Sequence, residues 1–145
     1  RSAESSAGTN LNRKACQMSR EPVHIDKPWV KKIAFAQGVT VDGKLLFSSG
    51  ITARAPDGSV VGVGDIRKQI ETCFSNLGDV LRAVDADFKD VVKYTMYTTD
   101  IDAFREHTDV YTAHFIDHPA STLVEVSKLA HPDMTVEIEA VARIP

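Results

Sequence analysis

The sequence predicts an α+β domain, in which one mixed sheet of about six strands carries two helices on a single face. Three stretches lead to that reading. Residues 65–84 place Ile66, Ile70, Cys73, Phe74, Leu77, Val80, Leu81 and Val84 at helical spacing, which gives one apolar stripe. Residues 90–99 are rich in β-branched and aromatic side chains, the composition of a strand. Residues 134–142 alternate cleanly, with Val136, Ile138, Ala140 and Ala142 on one face and Thr135, Glu137, Glu139 and Val141 on the other.

In chain order, residues 1–17 hold Ser, Ala, Asn and Gly without an apolar period, so a flexible tail, in part an expression remnant or a leader, is expected there, with Met18 as an initiator and 18–145 as a single domain. Val39-Thr-Val41, Asp42-Gly43 and Lys44-Leu-Leu-Phe47 predict a hairpin closed by a type I′ turn. Ala55-Pro-Asp-Gly58 is a second turn. Gly62 and Gly64 lack the Gly-Lys-Ser/Thr ending of a phosphate loop and lead into the helix, for which Asp65 is the N-cap. A second helix is expected over 102–115, with Phe104, Tyr111 and Phe115 inward, and it stops before Pro119. Strands at 121–126 and 134–142, joined by a loop with Pro132 and Asp133, complete the order β-β-(β)-α-β-α-β-β.

Composition narrows the function. The 145 residues, 43% apolar and 26% charged, suit one domain with a sizeable core. A net charge of -3 supplies no basic field for a phosphate backbone, so no nucleic-acid partner is expected. No apolar run of about 18 residues and no charged, then apolar, then small-residue leader pattern is visible, so neither a membrane span nor a standard secretory signal is expected and a cytoplasmic protein is the reading. Cys16 and Cys73 stand apart, without a Cys-x-x-Cys or Cys/His cluster; no disulfide, metal or other cofactor is expected, and Cys73 reads as a core residue. His114 and His118 are four apart but straddle the end of the helix, so they make no metal pair. No Gly-x-Ser-x-Gly elbow is present.

On the residues alone, Glu137 and Glu139 form the solvated face of a half-buried strand. The Pro119-Ala120 pair with Val124 and Val126, Leu129, and Val136-Glu-Ile-Glu-Ala-Val-Ala142 resemble the ending of the RidA (YjgF) family of reactive-intermediate deaminases. Phe35-Ala-Gln-Gly-Val39, Ser48-Ser-Gly50, Gln69, Asn76, Asp90-Val-Val-Lys93, Thr95, Asp100, Phe104, Tyr111 and Phe115 extend the likeness upstream, in order, over roughly 33–142. The resemblance implies a chorismate-mutase-like fold and a homotrimer with clefts between subunits. It also implies an enamine or imine deaminase acting on a small-molecule substrate.

Carried over residue by residue, the family's water-positioning glutamate matches Glu137, its cleft-entrance aromatic matches Phe35 and its backbone-lining serine matches Ser49. Thr108 stands where asparagine is common, and Ser121 replaces the arginine that grips a substrate carboxylate. Substitute anchors are Ser121, Thr122 and His118, or Arg54 or Lys32 across the interface. An arginine-lacking subgroup, with proteins similar to 2-aminomuconate deaminase, also resembles the chain loosely at Leu129-Ala-His-Pro132. Two alternatives stand beside the deaminase: a non-catalytic trimer that binds a small ligand, and an RNA-cleaving activity, which the acidic balance disfavours.

Overall fold

The structure is a computed structural model that describes residues 19–24, 26, 28–32 and 34–145. The sequence readings on residues 1–17, Cys16 and Met18 lie outside them.

Five strands form the main sheet: β3 (Leu45–Phe47), β4 (Ile51–Thr52), β5 (Val91–Thr98), β6 (Ala120–Glu125) and β7 (Val136–Arg143). Their order is β3-β7-β5-β6, with β4 also on β7, and only the β5·β6 pair is parallel. Two further strands, β1 (Arg20–Val23) and β2 (Gly38–Val41), pair antiparallel as a separate ribbon. The sheet is therefore mixed and the fold α+β, as the strand patterns require.

The hairpin expected at Asp42-Gly43 does not form. Gly43 takes φ 114°, but Asp42 is not in the left-handed region that a type I′ turn needs at both central residues. The two strands part there: β2 pairs with β1, and β3 with β7.

Helix α1 (Ile66–Arg82) starts where Asp65 predicts, since its carboxylate accepts from the Lys68 amide at 3.0 Å. It buries Ile70, Cys73, Phe74, Leu77 and Leu81 against Tyr94, Met96, Val136 and Ile138 of the sheet. Each such side chain contributes about 1.5–3 kcal/mol of transfer free energy. The second helix is broken into α2 (Ile101–Arg105) and α3 (Thr108–Thr112). Phe104, Tyr111 and Phe115 still point inward as a linked aromatic set, with ring centroids 5.0 and 5.9 Å apart.

Gln69 is polar and fully buried, and it braces loops. Its amide donates to the carbonyls of Gly62 at 3.2 Å and Asp133 at 2.7 Å, and its oxygen accepts from the Thr135 amide at 2.8 Å. Asn76 likewise donates to Thr52 and Arg54 carbonyls, both at 3.0 Å. These side chains close the backbone accounting where β4 and the loop before β7 leave the ladder.

Candidate functional site

Register decides which side chains meet. Ser121 and Leu123 lie opposite Tyr94 and Met96 and share their helix-facing side, whereas Thr122 and Val124 lie opposite Thr95 and Tyr97 on the other, open face. Glu137 is opposite Tyr97 and Glu139 opposite Thr95, so both carboxylates are on that open face.

Their environments differ. Glu139 accepts from the Tyr97 hydroxyl at 2.8 Å, a bond to a carboxylate that raises the phenol pKa above its ordinary value. Glu137 has no hydrogen-bond donor among the described residues. It is half-buried, and its tip fills the space beside Gly50: a Cβ at position 50 would stand 1.7 Å from Glu137 Oε1. The gap between β3 and β4 creates this proximity. Ser48 bonds Ala140 with its amide (N–H to O, 2.9 Å) and with its hydroxyl (Oγ accepting, 2.9 Å); Ser49 and Gly50 leave the ladder there, and Gly50 comes to lie against Glu137. Behind the strand, burial and then the Glu137 charge push the Cys73 thiol up to about 12, so this core cysteine stays protonated.

On the helix-facing side, at the β6 edge, a cavity of about 370 Å³ contains Phe35 and Ser121 together. Its apolar wall is Phe35, Met96, Phe115 and Leu123; its hydroxyls are Thr108, Tyr111, Thr112 and Ser121; Lys32, from the 3-10 turn Pro28–Lys32, lies at its margin. Lys32 thus belongs to the same chain's cavity as Ser121. Arg54 is not in that wall; it bridges Val60 across a turn.

The sequence-predicted residues fall into four places. Phe35 and Ser121 share the cavity, whereas Glu137 lies at the β3–β4 gap against Gly50, next in sequence to Ser49. Thr122 is held on the open face by Lys93 Nζ at 3.0 Å. His118, with φ 51°, lines a different, larger hollow of about 770 Å³ with Arg20, Asp90 and Arg143. That hollow is largely self-satisfied: Arg20 donates to Val91 and Asp117 carbonyls at 2.9 and 2.7 Å, and Arg143 lies 3.7 Å from Asp90. Among the described residues, no three His, Cys, Asp or Glu side chains gather as a metal site requires.

Gly50 and the aromatic wall around Tyr111 were missed as site residues. A glycine ending a strand was the available signal for the first, and helical spacing for the second.

The chain is thus a small α+β domain with a half-buried carboxylate, Glu137, that has no donor among the described residues, and with an aromatic cavity at the sheet edge. The profile of the family described as Endoribonuclease L-PSP, the YjgF/RidA family, matches residues 29–144, and the chain belongs to that family. It is 31% identical to a RutC family protein of Pyrococcus abyssi, over 86% of this chain and 98% of that one. It is 29% identical to the 2-iminobutanoate/2-iminopropanoate deaminase of Rattus norvegicus, over 92% of each chain. Among solved structures, a Rid family protein of Yersinia pestis superposes with a TM-score of 0.78 at 27% identity, covering 86% of this chain and 98% of that one.

Proposed function

We propose that the protein is a hydrolytic deaminase of small enamines or imines, working in clefts that a homotrimer forms between neighbouring subunits. The observation that carries this reading is the contrast between two carboxylates on one strand face: Tyr97 occupies Glu139, whereas Glu137 has no donor among the described residues and is given room by Gly50. An enamine first takes a proton from solvent at carbon to become the protonated imine, C=NH2+. Glu137 then accepts a proton from water as the water oxygen bonds to the imine carbon. That proton is then returned to the carbinolamine nitrogen, the C–N bond breaks to release ammonia, and the hydroxyl proton departs to solvent as the carbonyl forms. Such chemistry needs mainly position, since the imine carbon is already electrophilic.

Within one chain, Glu137 and the Phe35/Ser121 cavity are on opposite sides of the sheet. An assembly that sets the Glu137 edge of one subunit against the cavity of the next would complete the site. The open face supports such packing: Phe47 is 70% exposed beside Val141, Thr95 and Lys93 around a hollow of about 170 Å³. Relatives named as 2-iminobutanoate/2-iminopropanoate deaminases agree with the reaction class.

Glu137→Gln is expected to slow ammonia release from an imine generated in situ by about 10²-fold or more. Equal rates for the two proteins would reject the role of Glu137, and a monomer mass at micromolar concentration would reject the trimer.

Ser121 in place of an arginine favours a second reading, a trimer that binds a small ligand without turning it over. Saturable binding with no ammonia release would select it. The family description names an endoribonuclease, but the net charge of -3 argues against RNA as substrate here, and ribonuclease activity lost on repurification would dismiss it.

A further inference from the structure

The cavity that holds Ser121 has an unusual polar inventory. Thr108 gives its one hydroxyl hydrogen to the Arg105 carbonyl at 2.8 Å, and Thr112 gives its own to the Thr108 carbonyl at 2.6 Å. Tyr111 is 3.2 Å from Thr108 Oγ1, and because the threonine hydrogen is committed, the tyrosine hydroxyl must be the donor in that pair. Three of the four hydroxyls therefore offer only lone pairs to the interior. The donors left for a ligand are the Ser121 hydroxyl and the Lys32 ammonium, neither of which has a hydrogen-bond or ion-pair partner among the described residues. Lys32 is also, among the described residues, the one charged residue in the cavity wall.

We infer that Lys32, assisted by Ser121, is the anchor for a substrate carboxylate, and that the substrate is a monocarboxylic acid with an unsaturated or aromatic body. The inference rests on the deaminase reading for the reaction but not for the binding. An ammonium on a long flexible stem is a point charge, unlike a planar guanidinium fork, so it holds a carboxylate without fixing the carbon that bears it. Orientation then falls to the flat surfaces of Phe35 and Phe115 and to Leu123 and Met96, which suit a planar apolar body. The volume of about 370 Å³ exceeds the need of the shortest 2-imino acids and leaves room for such a body. Substrate N–H groups can be received by the spare lone pairs of Thr108 and Thr112.

The test is calorimetric binding to the full chain of 3-phenylpropanoate and of its isosteric neutral amide, 3-phenylpropanamide. The wild type should bind the acid about tenfold or more tightly than the amide, Lys32→Met should reduce that preference to about twofold or less, and Lys32→Arg should keep it. Amide affinity should be the same in all three, which shows that the cavity itself is intact. Absence of acid binding, equal affinity of the wild type for acid and amide, or retention of the preference by Lys32→Met would each overturn the assignment. The reaction is judged separately: if Glu137→Gln releases ammonia as fast as wild type while the Lys32 preference holds, the deaminase reading falls and the carboxylate anchor stands.

Discussion

Along β7, Val136, Ile138, Ala140 and Ala142 are buried against the helices, while Glu137, Glu139, Val141 and Arg143, one residue out of step, stay partly exposed. The two faces were built from one strand but finished to different degrees. On the helix side, apolar side chains meet apolar partners, and the buried amide of Gln69 has all its named bonds made. On the open side, among the described residues, Glu137 has no donor and Phe47 is 70% exposed. Saturated contacts hold a fold together, and unsaturated ones are what remains for ligands and partners. Substitutions on the helix side should therefore act on stability, and those on the open side on assembly or turnover.

Phe74→Ala should have the largest effect on stability, about 3–5 kcal/mol in denaturant unfolding, because it empties the junction where Tyr94, Phe88 and His114 meet. A loss below about 1 kcal/mol would break the contrast at its firmest point. Gln69→Leu should cost about 1–3 kcal/mol, since Gly62 and Asp133 carbonyls and the Thr135 amide lose their partner. Phe47→Asp sharpens the comparison from the other face. Melting of a diluted sample should stay within about 0.5 kcal/mol of wild type, while sedimentation should show the proposed trimer falling to single chains.

The smallest effect concerns pH. His114 is stacked on Phe74 at 4.4 Å and lies 4.6 Å from Phe88, and burial lowers its pKa below the ordinary 6.5. The unfolded chain then takes up a proton at a higher pH than the folded one. The contribution of His114 is complete above the unfolded value and is lost as pH falls through the folded value. Between about pH 7 and 5 the wild-type melting temperature should drop more steeply than that of His114→Phe, and parallel slopes would deny the histidine this role.

The elements were legible wherever one local rule dominated. The α1 stripe, the Asp65 cap and the period-two alternation of β7 needed no neighbour to be read. The hairpin failed because Asp42-Gly43 states only that the chain turns; whether flanking strands pair depends on which edges compete, and β7 and β1 offered better ones. The split between α2 and α3 was hidden because Phe104, Tyr111 and Phe115 keep an inward face across a break at Glu106 and His107. At the candidate site, Phe35, Ser121 and Glu137 were legible as positions. Their separation onto two sides of the sheet, and the departure of Thr122 and His118 to other surroundings, were not.

By itself the sequence determined which residues alternate, which cap, and which carry the family pattern, because these are properties of neighbours along the chain. Only the tertiary structure decided that Gly50 lies over Glu137, that Tyr97 takes Glu139 and leaves Glu137, and that Lys32 stands at the margin of the cavity of Ser121. Those pairings join segments dozens of residues apart, and their distances are set by strand register and helix packing, which no local pattern encodes.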